Sequence, residues 1–123
     1  MIKRKLAWKP DLPDQRDYSF EKLSWEQKYD TLTLPTSMNL RPWCSEVEDQ
    51  KNIGSCVANA IVGLFEYNRI KSGFGGSKFQ HFSRLFSYYN ARILGENVNS
   101  DTGAYIRDGI KTAKLNGICP AID

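Results

Sequence analysis

Cys56 is the residue whose surroundings in this sequence most favour chemistry. A polar, turn-forming run over residues 49–55 precedes it, and apolar residues recur after it at positions 57, 60, 61, 64 and 65. That spacing predicts a helix rather than a strand. Gly54 permits a tight turn, and Ser55 is of a type favoured at helix N-caps. We therefore expect Cys56 to lie in the first turn of a helix.

A cysteine at a helix N-terminus is suited to nucleophilic attack. Unpaired amides and the positive end of the helix dipole stabilise a thiolate, which is the reactive form. The amide of Cys56 and the side-chain amide of Gln50, six residues earlier, could both donate to an oxyanion on an attacked carbonyl. Two alternatives stay open: a buried, inert cysteine in a core helix, and a redox-sensitive thiol.

The local pattern favours the nucleophile. Residues 50–56 read Gln-Lys-Asn-Ile-Gly-Ser-Cys, which resembles the nucleophile segment of papain-like (C1-type) cysteine peptidases. The common form is C-G-S-C-W; Ile53 and Val57 depart from it, which removes a family disulfide and is typical of a microbial or viral branch. The resemblance implies that Cys56 is the nucleophile, that Gln50 contributes to the oxyanion hole, and that Gly54 and Ser55 line the substrate site.

The flanking segments extend the resemblance. Residues 10–18 read Pro-Asp-Leu-Pro-Asp-Gln-Arg-Asp-Tyr, similar to the segment before the catalytic domain in microbial members. We divide the chain into an extended N-terminal arm, 1–33, and a half-domain, 34–123. Family N-terminal segments can act as inhibitory propeptides, but the arm lacks their long helical pattern, so we favour a strap packed on the surface. Its expected anchors are aromatic: Trp8, Tyr18, Phe20 and Trp25.

Three helices are predicted, over residues 55–71, 83–94 and 104–115. The expected apolar faces are Leu85, Phe86, Tyr89 and Ile93 in the second helix, and Tyr105, Ile106, Ile110 and Ala113 in the third. Tyr88 and Tyr89 are interpreted as core and rim. The resemblance implies a mainly α fold, the helical left half of the α+β papain-like fold. It also aligns Asp101-Thr102-Gly103 with the glycine-rich strip that pairs with substrate, so Thr102 and Gly103 are substrate-binding candidates.

The general base is the missing part. His81 is the only histidine and matches no catalytic position of the family, so we interpret it as structural. The family base lies about 130–150 residues after the cysteine, beyond residue 123. The resemblance thus implies a peptidase acting on peptides or proteins whose His and Asn come from a completing chain. The alternative is a catalytically inactive binding or regulatory module, for which a homodimer is one expected form.

Composition excludes several other classes. Hydrophobic content of 41% and charged content of 25% are those of an ordinary globular domain. The net charge of +3 is scattered, which argues against nucleic-acid binding. Three cysteines with no CxxC predict neither a disulfide framework nor a metal site, and no motif calls for a cofactor. Without an apolar signal region or a membrane span, we expect a cytoplasmic protein.

Overall fold

A computed structural model describes residues 5–19, 35–96 and 98–122 of the chain. Its α-helices are α1, Cys56–Lys71; α2, Arg84–Leu94; and α3, Ile106–Asn116. Single 3₁₀ turns occur at Arg41–Trp43 and Gly76–Lys78. The predicted mainly helical fold is confirmed, and α1 and α2 begin one residue later than predicted, at the residue after the expected cap.

The third helix begins two residues later than predicted because its expected start is a strand. Strand β2, Ala104–Tyr105, pairs in parallel with β1, Trp8–Lys9, so that Trp8 lies opposite Ala104. The N-terminal arm is therefore joined by its backbone to the segment that leads into α3. A local helical pattern gives no information about such a long-range pairing.

Aromatic anchoring of the arm is not what the structure shows. Trp8 is 57% exposed and Tyr18 is 84% exposed, whereas Phe20, Trp25 and the predicted boundary at 33/34 lie outside the described residues. Arg107 of α3 holds the arm instead: its guanidinium contacts the carboxylates of Asp14 and Asp17, each at 2.8 Å. Hydrogen bonds from Arg16 hold the pKa of Asp14 well below its usual range.

The helices pack through small side chains, and the predicted apolar faces of α2 and α3 are wrong in part: Phe86, Tyr105 and Ala113 are half-buried, but the other members are exposed. In α2 the buried residues are Ser87, Tyr88 and Ala91, and in α3 they are Gly109 and Thr112. Of the residues expected on these faces, Leu85, Ile93, Ile106 and Ile110 are exposed. Small residues let the helix axes approach closely, a requirement that periodicity of apolar residues does not reveal. Tyr88 in the core and Tyr89 at the rim agree with their prediction.

A fully buried carboxylate, Glu66, ties α1 to its surroundings. It accepts hydrogen bonds from Arg84 (Nη2 at 2.7 Å, Nη1 at 3.0 Å), from the Ser45 hydroxyl at 2.6 Å and from the Phe82 amide at 3.0 Å. Ser45 precedes α1 and the other two donors lie at the start of α2, so one side chain fixes three segments. Burial raises the pKa of Glu66, but the hydrogen bonds outweigh burial and lower it.

Candidate active site

Cys56 is the first residue of α1 and is half-buried against the core formed by Val57, Ala58, Tyr88, Ala91 and Ala104. Ser55 occupies the N-cap position, but its side chain makes no capping hydrogen bond. The prediction of a side-chain cap is wrong, because the Ser55 backbone (φ −96°, ψ 20°) is not extended as a cap requires. Its buried hydroxyl accepts instead from Asn59 Nδ2 at 3.1 Å.

Gln50 lies in the turn that leads to Cys56. Its Nε2 donates to the carbonyl oxygen of Ile53 at 2.9 Å, inside the turn, and to the carbonyl oxygen of Lys5 at 2.7 Å. The amide expected to serve an oxyanion therefore contacts a backbone carbonyl of the N-terminal arm. A side-chain amide has two N–H donors, and both are engaged here.

Gly54 is buried between the arm and the loop before β2. Its amide donates to both carboxylate oxygens of Asp101, at 3.0 and 3.1 Å. A Cβ at this position would lie 2.7 Å from the Ala7 Cβ and 2.9 Å from Asp101 Oδ1. Glycine is therefore required by close approach, because any side chain would push the arm away from the turn.

Thr102 and Gly103 lie beside the same stretch of the arm. Gly103 is buried with φ +83°, and a Cβ there would lie 1.6 Å from the carbonyl oxygen of Ala7. Thr102 is exposed, and its hydroxyl accepts from Lys9 Nζ at 3.4 Å. The structure thus brings the Cys56 turn and the 102–103 segment together against one extended segment, residues 5–9.

Tyr88 and Asp101, to which sequence reasoning gave no role in the site, connect these segments. The Tyr88 hydroxyl donates to Asp101 Oδ1 at 2.5 Å and accepts from the Gly103 amide at 3.0 Å. Burial, followed by donation to Asp101, raises the pKa of Tyr88. The Tyr88 hydroxyl, with Lys5 and the Gly54 amide, lowers the pKa of Asp101. The available signal was an aspartate directly before Thr102-Gly103 at a helix entrance.

His81 lies on the segment before α2, where it contacts Glu48, Phe79 and Ala121. Its Nδ1 is 3.7 Å from Glu48 Oε1, and its ring meets that of Phe79 edge-on with centroids 4.8 Å apart. Its carbonyl accepts from the Ala121 amide at 2.9 Å. In the described parts of the chain, no group of three or more His, Cys, Asp or Glu side chains could hold a metal ion.

Comparison with known proteins gives two matches. A peptidase C1-like protein, L477 of Acanthamoeba polyphaga mimivirus, is 42% identical over 88 residues, which is 72% of this chain and 25% of the viral protein. Xylellain, a cysteine protease from Xylella fastidiosa, superposes with a TM-score of 0.75 at 40% identity, over 94% of this chain and 40% of xylellain. No family model matches the chain.

The fold is thus the helical half of a papain-like fold, as the comparison with xylellain shows. The chain is similar in sequence and in fold to the papain-like, C1-type cysteine peptidases, and it corresponds to the N-terminal helical part of their fold. It spans a quarter of the length of the viral relative and two fifths of that of xylellain. A search of the described helices for one long and apolar enough to cross a membrane finds none.

Proposed function

We propose that this chain supplies the nucleophile and one wall of the substrate cleft of a cysteine peptidase. The Cys56 thiolate attacks the carbonyl carbon of a peptide bond, the C–N bond breaks, and the amine leaves with a proton donated by a general acid. Water then hydrolyses the thioester, which releases the acid product and restores the thiol. One observation carries the proposal: the Cys56 turn, Gln50 and Gly103 all face one extended backbone segment.

That extended segment supports peptide binding at this surface. The Lys5 carbonyl accepts from Gln50, and Trp8 pairs its backbone with Ala104. A substrate needs the same two features, a donor for its carbonyl and an edge for its backbone. Residues 5–9 therefore occupy the groups assigned to substrate, and we propose that they move away before a substrate binds.

The catalytic base is assigned to residues outside the 123 of this sequence. In papain-like peptidases it follows the cysteine by about 130–150 residues, and both relatives are much longer than this chain. His81 contacts Phe79 on its own segment and Glu48 on the segment before α1, which supports its structural interpretation. We propose that the His and Asn come from further residues or from a completing chain.

The second candidate is a non-catalytic binding or regulatory module that forms a homodimer. It is favoured by large apolar side chains on the helices that stay exposed: Leu64 at 62%, Leu85 at 60% and Ile110 at 58%. Apolar surface of this kind often marks an interface. Light scattering tests the dimer, since a mass that rises with concentration would support it and a constant monomer mass would exclude it.

Labelling with a peptidyl electrophile tests the peptidase proposal. We expect Cys56→Ala to abolish covalent labelling and His81→Ala to leave the rate within about twofold, because His81 does not act as the base. Labelling is followed by intact-mass spectrometry. A loss of tenfold or more in His81→Ala would place the base within this chain and contradict the assignment.

Lys5→Ala tests whether the arm competes with substrate. Lys5 Nζ forms an ion pair with Asp101 at 2.9 Å, so its removal weakens the contact between the arm and the cleft. We expect labelling of Cys56 to become several-fold faster, whereas Lys111→Ala, an exposed control on α3, leaves it unchanged. An unchanged rate in Lys5→Ala would show that the arm does not limit access.

A further inference from the structure

We propose that Tyr88 and Asp101 are positioning residues that hold the nucleophile turn and the 102–103 segment at a fixed separation. The inference rests on the proposed function, because it assigns these two segments to the nucleophile and to the substrate-binding strip. Neither residue carries the chemistry itself. Their role is to set the distance across which a bound peptide must reach Cys56.

The contacts form a continuous bridge between the two segments. Gly54, two residues before Cys56, donates to Asp101; Asp101 accepts from the Tyr88 hydroxyl at 2.5 Å; and that hydroxyl accepts from the Gly103 amide at 3.0 Å. Each polar atom in the bridge is therefore satisfied by another member of it. Loss of the hydroxyl would leave the buried Gly103 amide without its acceptor, which is unfavourable.

The Tyr88 ring is itself held in place. Only 2% of Tyr88 is exposed, and the Arg92 guanidinium lies over its ring at 4.4 Å from the centroid. Arg92 Nη1 also donates to the Ser100 carbonyl at 2.8 Å, next to Asp101. Both Tyr88 and Arg92 lie on α2. Their hydrogen bonds therefore hold the nucleophile turn and the segment around Asp101 against the same helix. Small displacements matter here, since a shift of about 1 Å in reacting groups can cost 10²-fold in rate.

Tyr88→Phe tests the bridge without disturbing the Lys5–Asp101 ion pair. The measured quantity is the ratio of Cys56 labelling rates with a peptidyl electrophile and with iodoacetamide, which needs the thiol alone. We expect Tyr88→Phe to lower this ratio at least tenfold while the iodoacetamide rate changes less than threefold. Tyr89→Phe, which removes an exposed hydroxyl from the neighbouring residue, is the matched control and should leave the ratio unchanged.

Asp101 provides the second comparison. In Asp101→Asn the amide oxygen can replace Oδ1 and accept from both Gly54 and Tyr88, but the ion pair to Lys5 is lost. We expect its ratio to equal or exceed that of the wild type, whereas Asp101→Ala should lower it as Tyr88→Phe does. If the circular dichroism of Tyr88→Phe shows that this variant does not fold, the comparison of Asp101→Asn with Asp101→Ala tests the proposal instead. Equal ratios in the Asn and Ala variants would overturn the proposal.

Hydrogen exchange separates the bridge from the peptidase assignment. In Tyr88→Phe we expect the amides of Gly54 and Gly103 to lose at least tenfold in protection together, while the α1 amides keep theirs. Unchanged protection at both glycines, or a ratio within twofold of Tyr89→Phe, would overturn the positioning role. If the wild-type ratio of peptidyl-electrophile to iodoacetamide labelling is no higher at Cys56 than at Cys44, the peptidase assignment fails. Hydrogen exchange at Gly54 and Gly103 still tests whether Tyr88 and Asp101 hold the two segments together.

Discussion

At the scale of single residues, Glu66 shows how one buried charge can hold a helical fold together. Its carboxylate is fully buried and accepts four hydrogen bonds from three residues. A buried ion pair adds little net stability over an apolar pair, but removal of one partner leaves an uncompensated charge and is costly. Arg84 has a second, longer contact to Glu48 at 3.5 Å, which offsets part of that cost.

We expect Glu66→Gln to lower the free energy of unfolding by about 3 kcal/mol, near the low end of measured values for broken buried pairs. Urea denaturation at pH 7 measures it, with Glu46→Gln as an exposed control that should change stability by less than about 0.5 kcal/mol. A loss below about 1 kcal/mol would contradict the role given to this carboxylate.

The same variant gives the pH dependence a definite sign. The pKa of Glu66 is lowered in the folded chain, so its stabilisation is complete above the unfolded pKa, which is about 4.3. It is lost as the pH falls through the folded pKa. The difference in unfolding free energy between the wild type and Glu66→Gln should therefore be constant from pH 7 to about 5 and shrink below about 4. A difference that grows on acidification would contradict this assignment.

At the scale of elements, α1 and α3 meet where a glycine faces an isoleucine. A Cβ on Gly109 would lie 2.4 Å from Ile61 Cδ1 and 3.4 Å from Val57 Cγ1. The glycine therefore leaves room for the end of the Ile61 side chain between the two helices. Gly63, also helical, has nothing within 4 Å of its ideal Cβ and makes a matched control.

We expect Gly109→Ala to destabilise the fold by about 1–2 kcal/mol, because overpacking outweighs the gain in helix propensity. Gly63→Ala should be neutral or stabilise by up to about 1 kcal/mol. Ile61→Val removes the methyl group that a Cβ at position 109 would meet. The double variant of Gly109→Ala and Ile61→Val should therefore lose less unfolding free energy than the sum of the two single variants. Thermal denaturation of the wild type, Gly109→Ala, Ile61→Val, the double variant and the Gly63→Ala control measures this, and a stabilising Gly109→Ala would contradict the close contact.

Helix positions could be predicted from the sequence, whereas the buried faces of the helices could not. Runs of apolar residues and capping types located the helices α1, α2 and α3 of the described chain to within two residues. The resemblance to papain-like peptidases singled out Gln50, Gly54 and Cys56, and their roles stay predictions. Buried faces were missed because Ser87, Ala91 and Gly109 pack by being small, which apolar periodicity does not detect. The Lys5 carbonyl contacts Gln50 from a segment distant in the sequence, which no local pattern could show. The position of Asp101 before Thr102-Gly103 was visible in the sequence, but its contact with the Gly54 amide was not.

At the scale of the whole molecule, the N-terminal arm joins the parts of the candidate site. Residues 5–9 contact the Gln50 turn, Gly54 and Gly103, and Arg107 fixes the next part of the arm through Asp14 and Asp17. These contacts favour an account in which the surface beside Cys56 binds extended peptide backbone. In the described structure that backbone belongs to the arm.

The most direct test of this account is the ratio of peptidyl-electrophile to iodoacetamide labelling rates, measured at each cysteine by peptide mapping. Cys44 and Cys119, which are free like Cys56, serve as internal controls within the same molecule. If a peptide-binding surface adjoins Cys56, the ratio at Cys56 should be at least tenfold above the ratio at both control cysteines. The ratio at Cys56 should rise further in Lys5→Ala. Equal ratios at all three cysteines would contradict it, because they would show that no peptide-binding surface adjoins Cys56.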